Sequence, residues 1–599
     1  MKIVTARRLS QGFFLLVFVW LCLVTTVGDG VFELRGWPVN WLLSLAPLTA
    51  LGTALSTGSL YAPLFWAVPV IIVTLFLGRF FCGFACPLGT LQQVGGYLTR
   101  KTLGRAGRAE DNLPSPAQGL KYALLAFLLG AAVLGNLQTG LFDPLAFLTR
   151  SFSLAVLPLV DPRQGLGQAE ARHYDGAWLF GLLLLAVLAA TALRPRFFCR
   201  YLCPLGAFFG LLTRFSPWRI GKADSGTCGT CRMCEEYCEG GCRPSGQIIL
   251  SECVLCLNCL DRCPTGRIGF AGRPSVAGEQ PLPDFSRRGA VLVLASGTAG
   301  IVAAPLWTVG GVAAAGRNPA LIRPPGSLDE ARFLARCIRC GQCMRVCPAN
   351  VIQPAVTVAG AAGLWTPALD YRLGRAGCLQ NCIACGQVCP TAAIRPLSID
   401  EKRGLGEYAE AGPIRLGTAF VDRTRCLPWA MGRPCLVCQE VCPVSPKAIT
   451  VRQVFEPLRL PGLSLTDSQG PVVPLAVLPP TGRNLASGDF FLRPAGLPRR
   501  APQRILGAAG SRLTLAAPLA EAAPGREVEI VVRLEQPHVD PAKCIGCGMC
   551  EHECPVSGLR AIRVTSENES RSGPGRMLAE AARPARQGGP SWPKTSFPA

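Results

Sequence analysis

The sequence predicts an α-helical membrane domain of four helices plus a fifth anchor or signal helix, with small cysteine-rich α+β domains on both sides. Three observations predict it. Four segments, near residues 12–27, 61–80, 119–138 and 177–193, are long and apolar enough to cross a hydrocarbon core of about 30 Å. Lysine and arginine gather at alternate ends of these segments. Most of the 30 cysteines fall into runs of fixed spacing. The chain has 599 residues, too many for one core, and is 49% hydrophobic with only 16% charged residues, as expected of a partly embedded protein. Its formal charge of +22 borders the apolar segments instead of filling one globular domain, which argues against a nucleic-acid partner.

The first domain is residues 1–216. Lys2, Arg7 and Arg8 precede or open its first segment, and Arg100, Lys101, Arg105 and Arg108 follow the second. Arg194, Arg196, Arg200, Arg214, Arg219 and Lys222 follow the fourth without an intervening acid. The positive-inside rule puts all three groups, and the N-terminus, in the cytoplasm. Two near-copies end the second and fourth segments: "RFFCGFACPLG" from Arg79 and "RFFCRYLCPLG" from Arg196. The offsets from Cys82 to Cys199 and from Cys86 to Cys203 are both 117 residues, so the domain reads as two helix hairpins. On a helix, cysteines at i and i+4 share a face. Two such faces offer four thiols, which can bind a metal or cluster, form redox-active pairs, or pack as small apolar groups. The redox roles make Cys82, Cys86, Cys199 and Cys203 candidate catalytic residues. Asp143, in "GLFDPLAFLTR", is a candidate proton acceptor with Arg150 beside it; Asp before Pro144 is also a good helix N-cap. His173 is a weaker candidate.

Residues 217–284 carry Cys228, Cys231, Cys234 and Cys238, then Cys253, Cys256, Cys259 and Cys263-Pro264. This is the spacing of a bacterial two-cluster ferredoxin, in which the fourth cysteine of each run ligates the other cluster. One [4Fe–4S] cluster is expected on Cys228, Cys231, Cys234 and Cys263, the other on Cys253, Cys256, Cys259 and Cys238. Glu239 stands where a proline is usual, and Cys242 is an alternative to Cys238.

Residues 285–318 open with Ser286-Arg287-Arg288 before a mild apolar run. They read as a twin-arginine export signal or as an ordinary anchor helix, and either takes the following residues outside. Ala313–Ala315 also resembles a cleavage site. Four more runs follow. Residues 319–454 hold Cys337, Cys340, Cys343 and Cys347; Cys378, Cys382, Cys385 and Cys389; and Cys426, Cys435, Cys438 and Cys442. Residues 541–565 hold Cys544, Cys547, Cys550 and Cys554. Between them, 455–540 reads as a β-rich insertion, and 566–599 as a disordered tail. The total is six [4Fe–4S] clusters, held by the same cysteines as iron ligands.

Zinc sites use pairs of ligands across a longer spacer, and a disulfide scaffold has no need of this repeated spacing. No Cys-x-x-Cys-His is present, and His173, His538 and His552 are the only histidines, so haem is disfavoured.

With these motifs in view, residues 1 to about 270 resemble the NapH family, the membrane ferredoxins of quinol dehydrogenases. The resemblance rests on the four segments, the Cys82/Cys86 and Cys199/Cys203 elements and the paired cluster runs. Residues from about 285 to 565 resemble the NapG/MauM ferredoxins, down to the wide first gap between Cys426 and Cys435. The resemblance implies a bacterial inner-membrane protein with bacterial ferredoxin-like domains in cytoplasm and periplasm. It implies a quinol substrate from the membrane quinone pool and a periplasmic redox partner such as a nitrate reductase. NosR-type regulators and membrane copper-reductase ferredoxins share the Cys-x3-Cys-Pro core, so redox sensing or cofactor maturation is the alternative. Neither cluster potentials nor electron direction follows from sequence.

Overall fold

The computed structural model describes residues 3–571 apart from 28–33, 35, 60, 100–108, 161–171, 227, 229–230, 281–290, 303–317, 459, 461, 468–469, 478–482, 498–499 and 520–522. Arg100 to Arg108, the Ser286-Arg287-Arg288 motif, Ala313–Ala315 and residues 572–599 of the expected tail lie outside the described residues. The described residues form two compact units: those to Arg375 with Leu379–Ile414, and Ala376–Cys378 with those from Arg415 to Arg571.

In the first unit, helices cover all four apolar segments. Ile3–Val24 and Ala109–Val133 are long and apolar enough to cross a membrane by length and composition; 62–77, 144–160, 177–192 and 291–302 are shorter apolar helices. Ala67–Leu77 and Ala177–Ala189 are apolar all round. Such helices need apolar surroundings on every side. Protein covers only part of them, for Ile72 and Phe76, and likewise Trp178 and Leu185, face outward. The first helix starts nine residues before the expected segment because Arg7 is neutralised inside the fold (below).

Pro144–Val160 is a helix that the apolar pattern did not reveal, since Thr149-Arg150-Ser151 interrupts its run. Asp143 caps it, accepting from the N–H groups of Leu145 and Ala146, and Pro144 supplies the first helical residue. Arg150 donates to the Arg339 carbonyl, and Leu154 packs against Gly341. The helix therefore lies along the Cys337–Cys343 loop. The 291–302 helix packs backbone to backbone on the helix through Leu120–Val133: a Cβ at Gly300 would lie 2.1 Å from the Phe127 oxygen, and one at Gly130 2.4 Å from the Gly297 oxygen. Close approach at small residues is how helices pair in lipid.

The first helix also works as a ruler. Near its start, Arg7 bonds Glu239, next to Cys238; near its end, the Cys22 carbonyl accepts from Arg345, between Cys343 and Cys347. Fifteen residues at about 1.5 Å each put these two cysteine regions about 22 Å apart along the helix. The 228–263 region is closed by strands Arg219–Lys222 and Ile268–Ala271, paired antiparallel. The 337–389 region contains short helices Gln342–Val346 and Ala384–Gln387 and the strand pair Ile352–Pro354 with Pro367–Leu369.

In the second unit, strands Thr418–Val421 and Ile562–Thr565 pair antiparallel beside the short helices Val437–Glu440 and Met549–His552. From between them emerges a seven-stranded antiparallel sheet. Its longest strand, Glu527–Val539, sends Val528, Ile530, Val532 and Leu534 to one buried face at the period of two that a strand imposes. Ile449 pairs with Val539 and Pro457 with Val531, so the sheet begins inside the region that the sequence assigns to 319–454.

Candidate metal centres

Three cysteine loops share one backbone conformation. Leu255 and Leu257 have φ of 50° and 56°, Arg339 and Gly341 of 56° and 78°, and Gly546 and Gly548 of 67° and 77°. Each pair flanks the second cysteine of its run. This region costs a non-glycine residue about 1–3 kcal/mol, so Leu255, Leu257 and Arg339 are held there by their surroundings. Alternation of right- and left-handed residues turns successive N–H groups inward, forming the anion-binding concavity found at many iron–sulfur sites. The first sulfur of each run accepts the N–H two residues on: Cys253 from Leu255, Cys337 from Arg339 and Cys544 from Gly546.

The fourth cysteines cross over. Cys389 lies beside Cys337, Cys340 and Cys343. Cys554 lies beside Cys426, Cys435 and Cys438. Cys442 lines one cavity with Cys544, Cys547 and Cys550. Cys228 and Cys263 are likewise both neighbours of Cys234. Thiols grouped in fours are the donor set of a [4Fe–4S] cluster. Cys347, Cys382 and Cys385 lie in the first unit, and Cys378 in the second, where its N–H donates to the Cys547 carbonyl. The crossover has a testable outcome. Cys554→Ala is expected to remove about four irons per chain from the centre framed by Cys426, Cys435 and Cys438, leaving that at Cys544–Cys550 intact. Iron analysis and paramagnetic resonance of the reduced protein check it.

Cys238 and Cys242 both reach the Cys253–Cys259 loop. Their sulfurs are 3.4 Å apart and both are buried. The structure brings both candidates to one place. It also explains the residue between them. Glu239 is buried and bonded by Arg7 at 3.2 and 3.3 Å, by Arg196 at 2.8 Å and by Asn258 at 3.1 Å. Burial pushes its carboxyl up, but Arg196 and Arg7 overcome this and hold it down at about 2. A proline there could not tie the cysteine domain to the first helix.

The two Cys-x3-Cys-Pro elements meet. Cys203 has Cys199, Cys82 and Cys86 as electrostatic neighbours. Cys86 and Cys203 each precede a helix, Pro87–Thr99 and Pro204–Leu212, and accept its N–H from Gly89 and Gly206 respectively. The arginine of each copy crosses to the glycine of the other: a Cβ at Gly206 would lie 2.6 Å from Arg79 Nη2, and one at Gly89 3.5 Å from Arg196 Nη1. Arg196 also donates to the Cys82 carbonyl at 2.9 Å, and Arg79 to the Ser251 carbonyl at 2.8 Å. Lys121 pairs with Glu252, which also accepts from Tyr122 at 3.0 Å. Four thiols thus lie together beside two helix N-termini and three basic side chains, each of which is paired with Glu239 or Glu252. From sequence, Arg79, Lys121 and Glu252 have no role at this site, Arg196 has only that of a flanking charge, and Glu239 only that of a departure from the usual proline. The signal for the two arginines was there, since both repeats begin with Arg and end in Gly.

Asp143 is buried; its Oδ1 makes the cap and its Oδ2 has no hydrogen-bond partner among the described residues. No ion pair joins it to Arg150 among the described residues; Arg150 stacks on Trp365 and Phe180. His173 contributes its carbonyl, which accepts from Asn350 and Gln353. Burial raises the Asp143 carboxyl from 3.8 to about 6. The folded state therefore holds this proton more tightly than the unfolded chain. Stability from it is fully present below pH 3.8 and is lost as pH rises through about 6. Asp143→Asn keeps the capping oxygen without the charge and is expected to unfold at a higher temperature than the parent above pH 6. Asp143→Ala, losing the cap, is expected to cost about 1 kcal/mol. Thermal unfolding in detergent between pH 5 and 8 checks both.

A family described as a 4Fe-4S binding domain matches residues 59–106 and 175–223, the two segments that carry the paired thiols. A second family of the same description matches 333–353 and 537–560. YccM of Escherichia coli is 29% identical over 252 residues, 41% of this chain and 66% of its own. The methylamine utilization ferredoxin-type protein MauM of Methylophilus methylotrophus is 36% identical over 140 residues, 23% of this chain and 56% of its own. The ferredoxin-type protein NapH of Haemophilus influenzae is 29% identical over 291 residues, 46% of this chain and 91% of its own. The chain thus spans less than two-thirds of YccM and of MauM. No solved structure matches.

Proposed function

We propose, on the premise that this iron–sulfur electron-transfer chain joins a NapH-type to a MauM-type ferredoxin in one polypeptide, that it takes electrons from quinol in the membrane and relays them to a periplasmic oxidoreductase such as a nitrate reductase. One observation carries this reading: the helix Ile3–Val24 touches one cysteine region at its start and another near its end, about 22 Å away. That separation approaches the thickness of a hydrocarbon core. In this reading four helices cross the bilayer and the 291–302 helix is the fifth crossing. The positive-inside rule leaves the 228–263 domain in the cytoplasm, and the twin-arginine motif takes the later domains out already folded.

The residues of six centres are those named above, and bound [4Fe–4S] clusters supply one-electron carriage. The chain itself fixes where charge can reside. Inward N–H groups of the cysteine loops favour thiolate sulfur. Arg79, Arg196 and Lys121 offset negative charge at the paired thiols, and the apolar helices keep water away. Asp143 is the proposed proton acceptor on the side of the Cys337–Cys343 loop. The test uses the full chain, prepared anaerobically in lipid and mixed with a reduced short-chain quinol. Bleaching of the iron–sulfur absorbance by quinol supports the reading. Bleaching by dithionite but never by quinol overturns it.

A further inference from the structure

We propose that a cavity beside the paired thiols binds the head group of a membrane quinone; the proposal rests on the quinol reading above and gives it a place. The cavity measures about 290 Å³ and is walled by the first helix, by the Pro87–Thr99 helix and by the 228–263 domain. Small-molecule sites begin near 300 Å³, so this one suits a single aromatic head group with its tail left outside.

Its chemistry fits a quinone. Quinone oxygens accept hydrogen bonds, and the cavity offers donors. The Gln93 Oε1 is fixed by two donors, Gln11 Nε2 at 2.8 Å and Arg196 Nη2 at 3.1 Å, which leaves its Nε2 to donate. Arg8 and Arg262 line the same space. On the Pro87–Thr99 helix the lining residue Tyr97 is 63% exposed, and Val94 and Leu98 of the same helix are 51% and 65% exposed, an outward apolar surface for an isoprenoid tail. The position also fits. The lining residue Gln92 places its Nε2 3.6 Å from the Cys199 sulfur, and Asn258, on another wall, stands between Cys256 and Cys259. A ring held here borders both the paired thiols and the Cys253–Cys259 loop. The cavity is lined by none of the cysteines, so it is distinct from the space the clusters fill.

Gly96 provides the test. It lines the cavity, and a Cβ built on it meets no atom within 4 Å. Gly96→Phe therefore fills the space without a clash at its root, and Gly96→Ala leaves most of it open. Thr5→Phe fills it from the facing helix. The full chain in detergent is titrated with 2-heptyl-4-hydroxyquinoline N-oxide, a quinol analogue whose fluorescence is quenched on binding. Thermal unfolding reports on the fold of each variant. Binding weaker by about tenfold or more in the two Phe variants, with Gly96→Ala like the parent, supports the site. Parent-like binding in a folded Phe variant overturns the cavity and leaves the quinol reading standing. A parent chain that retains its clusters and never binds the analogue overturns both.

Discussion

Serine at both Cys86 and Cys203 is expected to abolish quinol-dependent reduction while the chain stays folded. These sulfurs sit at the starts of two helices and accept N–H groups from Gly89 and Gly206. A serine hydroxyl accepts the same bonds at nearly the same volume, so the helix starts survive the exchange. What is lost is the sulfur itself, as a metal ligand or a redox-active group. Steady reduction by quinol, followed optically, reads the effect, and iron analysis shows whether metal is lost with it. A fall of about four irons per chain assigns a further cluster to the four thiols, in line with the family matches over these segments. Unchanged iron with lost turnover assigns a redox-active thiol pair. Unchanged turnover leaves only packing. Cys22→Ser is the control, a buried thiol near Ser153 that belongs to neither repeat.

Replacing Glu239 by leucine is expected to give the largest loss of stability. The carboxylate is buried between Arg7 and Arg196, both of which are also buried. Without it two guanidiniums remain in the interior with no counter-charge, a change that costs about 3–5 kcal/mol when one partner of a buried pair is removed. Thermal unfolding in detergent checks it. The loss is expected to fall first on the contact between the first helix and the 228–263 domain, because Glu239 bridges them. Glu239→Gln keeps bonds to Asn258 and Arg7 and is expected to lie between leucine and the parent.

The cysteine runs and the apolar helices were legible because their signals are local. Three thiols spaced by two residues need no distant partner to be recognised, and neither does an unbroken apolar segment. The crossover of Cys389 and Cys554 is not written in spacing; it depends on which runs fold against each other. Sequence marks Arg196 as a flanking charge that orients the chain and Arg79 only as the first residue of its repeat, which hides their second role. Each is buried, and each is fixed by groups far along the sequence: Ser251 and Glu252 for one, Cys82 and Glu239 for the other. Pro144–Val160 was missed because Arg150 breaks its apolar run, and the charge finds its setting only on Trp365 and Phe180. Propensity suggested strands between Cys442 and Cys544, but the order of the seven could not be read from alternation alone.

The sheet of the second unit leaves and re-enters through one doorway, for Ile449 and Val539 stand opposite each other in register. The electron-carrying loops on either side of that doorway are therefore indifferent to how much chain lies beyond it. Evolution can lengthen, trim or replace the excursion, and with it whatever the excursion greets, while Cys442 stays beside Cys544.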